Sequence, residues 1–239
     1  MSSAVFSSEG YDVVDFHSHI LPGADHGSDS LQTSLFQLEI AKKNSIKRIL
    51  ATPHFYPSQH SVDAFIELRD KAAAELIGAA DADMPEIKLG AEVLICEGLE
   101  RLPNLHKLCF QGTNYIMIEL PFFEFTESMA STIEAISDQG FNVILAHVDR
   151  YPKHVIEYLL DYGVNSLQIN ADSLCGLFKK KHLFKWIDKG LVGMLGSDMH
   201  GDDKNAYHGF NTAKKRLKQN ISYIKKTSDE IWNTIEPIV

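Results

Sequence analysis

Short apolar runs alternate along the chain with longer stretches whose apolar residues recur every three to four positions, and that alternation predicts strands joined by helices. Seven runs have the brevity and the apolar or β-branched content of buried parallel strands: residues 13–16, 48–52, 87–91, 115–118, 142–146, 167–169 and 191–196. Helices are expected at about 29–43, 62–79, 126–139, 153–162, 182–189, 206–218 and 228–238. In the first, Leu31, Leu35, Leu38 and Ile40/Ala41 mark one face, and Ser28 or Asp29 is placed to cap it. Gly163 and Gly190 follow their helices where left-handed caps belong. The pattern is that of an α/β fold with a parallel sheet.

Chemistry concentrates where the predicted strands end. His17 and His19 follow the first, His54 the second, Glu92 the third, Glu119 the fourth, His147 the fifth, Asn170 the sixth, and Asp198 and His200 the seventh. In a parallel barrel all strand C-termini open onto one face, so residues spread over most of the chain converge there. His17-Ser18-His19 and Asp198-Met199-His200 are i, i+2 pairs whose side chains leave an extended strand on the same side. A carboxylate ending a buried strand, as at Glu92 and Glu119, is costly unless it is paired or bound to a cation. Imidazoles mixed with carboxylates and no thiolate suit Mn, Fe or Zn. At four to six ligands per ion, the set implies two or three ions, an arrangement suited to phosphoryl displacement. Asp15 is placed to orient one of the rings.

Composition narrows the classes. The 239 residues fit one domain, 1–239; 44% are apolar and 23% charged, which argues against disorder. With 23 basic against 32 acidic residues the net charge is −9, which disfavours nucleic acid as a partner. No apolar run is long enough to insert in a membrane, and the first ten residues lack signal-peptide character, so a cytoplasmic location is expected. Cys96, Cys109 and Cys175 make no Cys-x-x-Cys pair and are expected reduced; none has an arginine six positions on, so a cysteine-phosphatase loop is excluded. Histidine is abundant, with eleven copies. His60, His106, His154, His182 and His208 lie away from strand ends and read as solvated or structural, with His60 and His208 the nearest to exceptions.

The stretches Asp15-Phe16-His17-Ser18-His19, Thr52-Pro53-His54, Gly90-Ala91-Glu92, Ile118-Glu119, Ala146-His147 and Ser197-Asp198-Met199-His200 resemble, in their order, the polymerase and histidinol phosphatase (PHP) superfamily. Ala146-His147-Val148-Asp149-Arg150-Tyr151, and Gln168-Ile169-Asn170 followed by Ser173-Leu174 and Gly176, are similar to the bacterial capsule-locus tyrosine phosphatases of the CpsB/CapC type.

That resemblance implies a distorted seven-stranded (β/α)7 barrel with a manganese-loaded trinuclear centre acting on protein phosphotyrosine. Carried over by position, His17, His19, Glu92 and Asp198 hold one ion, Glu92 bridges to a second held by Glu119 and His147, and His54 and His200 hold the third. The family's remaining aspartate ligand falls on His26, with Asp25 beside it offering a carboxylate instead. Arg150 matches a phosphate-binding arginine, whereas a second such arginine is missing and only Lys204 is near. Phe55, Tyr56, Phe122, Phe123 and Phe125 follow ligand positions, where they are placed to flank a phenyl phosphate, with a place in the core an equal reading for Phe122 and Phe123.

The reading is a metal-dependent phosphomonoesterase in which metal-bound hydroxide attacks phosphorus, its implied partner a bacterial tyrosine kinase of capsule assembly with a tyrosine-rich tail. A PHP phosphatase for a small ester such as histidinol phosphate, a barrel nuclease and a non-catalytic metal-binding PHP domain are the alternatives.

Overall fold

The computed structural model describes residues 13–122, 125–175, 181–217 and 219–238; Phe123, Gly176 and Lys218 lie outside them. The strands are β1 (Asp15–Ser18), β2 (Arg48–Ala51), β3 (His54–Phe55), β4 (Glu86–Leu89), β5 (Glu92–Leu94), β6 (Tyr115–Glu119), β7 (Asn142–Leu145), β8 (Val164–Asn170) and β9 (Val192–Gly196). Between and after them run α1 (Leu31–Lys43), α2 (Val62–Ala79), α3 (Glu127–Asp138), α4 (Lys153–Leu159), α5 (Lys181–Asp188), α6 (His208–Leu217) and α7 (Gln219–Thr234). All strand pairs are parallel, as the alternating pattern requires.

The strand count differs from expectation. Instead of seven strands in one closed barrel, the described residues form two sheets, β1-β2-β4 and β3-β5-β6-β7-β8-β9. The second and third expected strands each break in two. Thr52-Pro53 interrupts the first because proline has no N–H for the ladder. Gly90-Ala91 interrupts the second, where a Cβ on Gly90 would come within 2.9 Å of the Phe110 ring. Backbone bonds cross the breaks, from Gly90 N to Ala51 O at 2.9 Å and from Glu92 N to Pro53 O at 3.1 Å. At the other edge β1 meets the chain leaving β9, with Asp198 N donating to His17 O at 2.7 Å and His19 N to Met199 O at 3.2 Å.

Most buried apolar residues lie between the sheets and the helices. A second cluster, Val14, Phe16, Leu50, Phe110, Met117, Ile144, Ala146 and Met194, is covered by Ile231, Trp232 and Ile235 at the end of α7. That helix was expected at 228–238 but starts at Gln219 and ends at Thr234. Ile221, Ile224, Ser228, Ile231 and Trp232 recur at helical spacing on its buried face, and Pro237 lies past its end. The buried Lys88 of β4 donates to the Trp232 and Ile235 carbonyls at 2.9 and 2.8 Å, satisfying acceptors the helix end leaves open. No helix among the described residues is long and apolar enough to cross a membrane. The three cysteines are free.

Candidate metal centre

β1 delivers His17 and, one residue past its end, His19; both rings are buried. Gln168 of β8 holds the first. Its Oε1 accepts the His147 backbone N–H at 2.5 Å, which fixes the amide's orientation, and also faces His17 Nδ1 at 3.1 Å. Asp25 holds the second: its Oδ2 faces His19 Nδ1 at 2.7 Å and accepts the His54 backbone N–H at 2.8 Å, while Oδ1 accepts Gly27 N at 2.8 Å. In the neutral form of each ring, with Nδ1 donating, the lone pair is on Nε2, and the two Nε2 atoms lie 3.0 Å apart.

Two carboxylates complete this group. Glu92 Oε2 is 3.0 Å from His17 Nε2 and 3.2 Å from His19 Nε2; Asp198 Oδ1 is 3.6 and 3.4 Å from the same atoms. Ligands about 2.1 Å from a tetrahedral ion stand about 3.4 Å from one another. The four atoms therefore have the spacing of a coordination shell.

Glu92 reaches further with both oxygens. Oε1 is 2.7 Å from His147 Nε2, and Oε2 is 3.0 Å from His54 Nδ1. Glu119 lies 3.5 Å from the first and 3.7 Å from the second of those nitrogens. His200 gives its Nδ1–H to the Asp198 carbonyl at 3.0 Å, leaving Nε2 for a cation. Three overlapping groups have one ligand atom per residue within 4.8 Å of the others: His17, His19 and Glu92; His54, Glu92 and Glu119; and His19, His54 and His200. His54 Nδ1, Glu92 Oε2 and His147 Nδ1 are buried without a hydrogen-bond partner. The first two, 3.0 Å apart, fit the ligand shell of a divalent cation, while His147 turns its other nitrogen, Nε2, to Glu92.

Thus the fold gathers His17, His19, His54, Glu92, Glu119, His147, Asp198 and His200. His26 stands apart: it is exposed at the rim, stacked on the His54 ring at 4.7 Å and tilted against His200 at 4.9 Å. Asp25 points inward, and its oxygens already serve His19, His54 and Gly27. His54 and Glu92 begin short strands rather than end long ones, because each follows a break. Asp15 orients no ring. It accepts Ser197 N at 2.8 Å, Ser197 Oγ at 2.6 Å, Tyr207 Oη at 2.9 Å and His17 N at 3.2 Å, so it ties β1 to the turn after β9.

The electrostatics follow from crowding. Burial opposes charge on His19, yet bonds to Asp198, Asp25 and Glu92 override it and hold the ring protonated well above its usual range. Burial likewise opposes charge on Glu92 and Asp198, yet the surrounding imidazoles hold both far below the usual carboxylate range. Burial would lower His147, but Glu119 and Glu92 raise it to about 9. His200 falls to about 4 through burial and the charge of His19. His147 and Asp198 also have positive φ, 28° and 53°, a strained conformation for non-glycine residues.

A cavity of about 430 Å³ opens beside the cluster, lined by Arg150, Asn170, Asp198, His200 and His208 among others. Arg150 Nη2 donates to Asp198 Oδ2, which also accepts from Asn170 Nδ2 at 3.1 Å. Asp149, next to Arg150, accepts Asn170 N at 2.9 Å. Lys204 is exposed and does not line the cavity, although its equally exposed neighbours Asp203 and Asn205 do. A second cavity, about 360 Å³, is lined by Ala24, Asp25, His26, His54, Tyr56, Gln59 and His60. Of the flanking aromatics, Phe55 is in the core, Phe125 packs edge-on against Tyr158, Tyr56 stacks on His54 and Phe122 is exposed.

Sequence reasoning gave Gln168 no role of its own. Its signal was a lone amide inside the apolar run Leu167-Gln168-Ile169, a polar group that must find buried partners.

Known proteins resemble this chain in sequence and in fold. Tyrosine-protein phosphatase YwqE of Bacillus subtilis (strain 168) is 26% identical over 208 residues, covering 82% of this chain and 80% of the relative. Tyrosine-protein phosphatase CpsB of Streptococcus pneumoniae is 26% identical over 211 residues, covering 80% and 84%. A crystal structure from work on YwqE and CpsB, described there as unique metal-dependent tyrosine phosphatases, superposes with a TM-score of 0.76 at 21% identity, over 94% of this chain and 96% of that one. The inactive dihydroorotase-like domain of a Chaetomium thermophilum CAD-like protein shares the fold more distantly, with a TM-score of 0.50 at 11% identity over 93% of this chain and 78% of that one. Residues 13–233, from before β1 into the last turn of α7, match the profile of the capsular polysaccharide synthesis family CpsB/CapC, and this chain belongs to that family.

Proposed function

We propose that this protein is a metal-dependent phosphomonoesterase that dephosphorylates protein phosphotyrosine. The observation that carries the reading is the convergence of five imidazoles and three carboxylates, with orphaned buried atoms, beside a cavity that holds an arginine. Relatives named as tyrosine-protein phosphatases support the substrate class.

Two or three divalent ions are proposed, manganese first, with iron or zinc as substitutes. His17, His19, Glu92 and Asp198 would hold one, Glu92 with Glu119 and His147 a second, and His54 with His200 a third that His26 completes at the rim. Bound there, the ions supply charge to neutralise the phosphoryl group and a water ionised near neutral pH. Arg150 anchors Asp198 with one nitrogen, and its part-exposed fork would offer its other donors to phosphate oxygens. Lys204 stands outside the cavity, so phosphate recognition is assigned to Arg150. Phenolate, with a pKa of about 10, departs with little acid assistance.

The same reading takes 1–239 as one domain and treats β2 with β3, and β4 with β5, as single broken staves, so that seven staves surround the site. Its partner is a tyrosine-phosphorylated protein in the cytoplasm, a capsule-assembly tyrosine kinase with a tyrosine-rich tail being the proposed substrate. Phosphate release from a phosphotyrosine peptide and from histidinol phosphate, measured side by side, tests the assignment. A higher kcat/KM for the peptide is expected; a clear preference for histidinol phosphate would move the protein to the small-ester phosphatases, and no release from either would make it a metal-binding domain only.

A further inference from the structure

Phe122 is an apolar ring left 60% exposed at the edge of a buried charged cluster. It follows Glu119 by three residues, and the backbone between them is held because Tyr151 Oη donates to the Leu120 carbonyl at 2.7 Å. Its ring lies parallel to His147, with an interplanar angle of 11° and centroids 6.4 Å apart, and it meets Tyr151 at 6.1 Å. Tyr151 in turn sits 5.7 Å from His147 and is buried. His147, Tyr151 and Phe122 thus form a corner in which the first two are fixed and the third offers a bare face to solvent.

A single exposed phenylalanine is ordinary, but one aligned with a ring of the cluster offers its free face as a platform for another flat group. We propose that Phe122 is the specificity-determining residue for the alcohol part of the ester: its free face takes the phenyl ring of an aryl phosphate while the phosphate reaches the cluster. This rests on the phosphatase reading and adds to it the basis for choosing aryl over alkyl esters. Tyr56, stacked on His54 at 5.2 Å, borders the other cavity and is the competing wall.

Calorimetric binding of phenylphosphonate and methylphosphonate to the manganese-loaded full chain separates the two, since neither ligand is hydrolysed. Phe122→Ala should weaken phenylphosphonate about five-fold, the worth of one aromatic contact, while methylphosphonate binding stays within two-fold and the melting temperature is unchanged. Phe122→Tyr, which keeps the ring, should restore the affinity. Equal weakening of both ligands, no weakening of either, or the selective loss appearing in Tyr56→Ala instead would overturn the assignment while leaving the phosphatase reading intact. Failure of both phosphonates to bind the unaltered protein would overturn both.

Discussion

Gln168 shows how one buried amide sets the chemistry of several residues. Its oxygen serves both the His147 backbone and the His17 ring, and its Nε2 donates to Asn170 Oδ1 at 3.1 Å. Replacing Gln168 with Leu would strand two buried donors and free the His17 ring to turn. The expected result is a loss of metal affinity of about 10- to 100-fold, as for other groups that orient metal-binding histidines, measured by competition with a chromogenic chelator. Unchanged affinity would mean that the His17 ring is held by its other contacts.

Protons and cations compete for the same nitrogens. In the metal-free protein, Glu119 and Glu92 raise His147 to about 9, so at neutral pH its ring carries a proton that must leave before it can bind an ion. The group is raised, not lowered, so the ligand-competent neutral form grows as pH climbs toward 9. Metal affinity should therefore increase from pH 6 to 9, and metal uptake at pH 7 should release protons, visible as buffer-dependent binding enthalpies. Affinity independent of pH with no proton release would contradict this.

These details were only partly legible in the sequence. Paired histidines at strand ends are conspicuous because ionisable residues are rare in apolar runs, and that made most of the cluster readable. Asp25 and His26 are neighbours on a turn, where spacing does not say which points inward; three donors settle Asp25, while the His26 ring lies over His54. Asp15 was misread for a similar reason: proximity in sequence to a histidine says nothing about which loop its carboxylate faces.

Elements were legible to the extent that their period was. The seven expected helices all appear in order among the parallel strands, whereas the breaks at Thr52-Pro53 and Gly90-Ala91 were hidden inside runs that read as continuous. α7 was displaced because Ser222, Thr227 and Ser228 look like a loop, although the isoleucines around them keep helical spacing. Its closing contact is testable. Lys88→Met would leave the Trp232 and Ile235 carbonyls without their charged donor in a buried setting. A loss of about 2 kcal/mol is expected, lowering Tm by about 6 °C for a chain of this size, with metal content unchanged. An unshifted Tm would show that α7 covers the inner cluster without Lys88.

For the whole molecule, the two sheets matter because they bring distant residues to one place: β1 and the turn after β9 are bonded through Asp198 N and His17 O, although 181 positions separate the two residues. A net charge of −9 disfavours approach of an anionic ester, so on the proposed reading cations held by the cluster, together with Arg150, would supply the local attraction. On the proposed reading, hydrolysis of phosphotyrosine depends on cations in this cluster. Phosphate release from a phosphotyrosine peptide, followed as manganese is titrated into chelator-stripped protein, decides whether it does. Release should be absent without metal and should rise until two or three ions are bound per chain. Full activity in stripped protein, with elemental analysis showing no bound transition metal, would contradict the account.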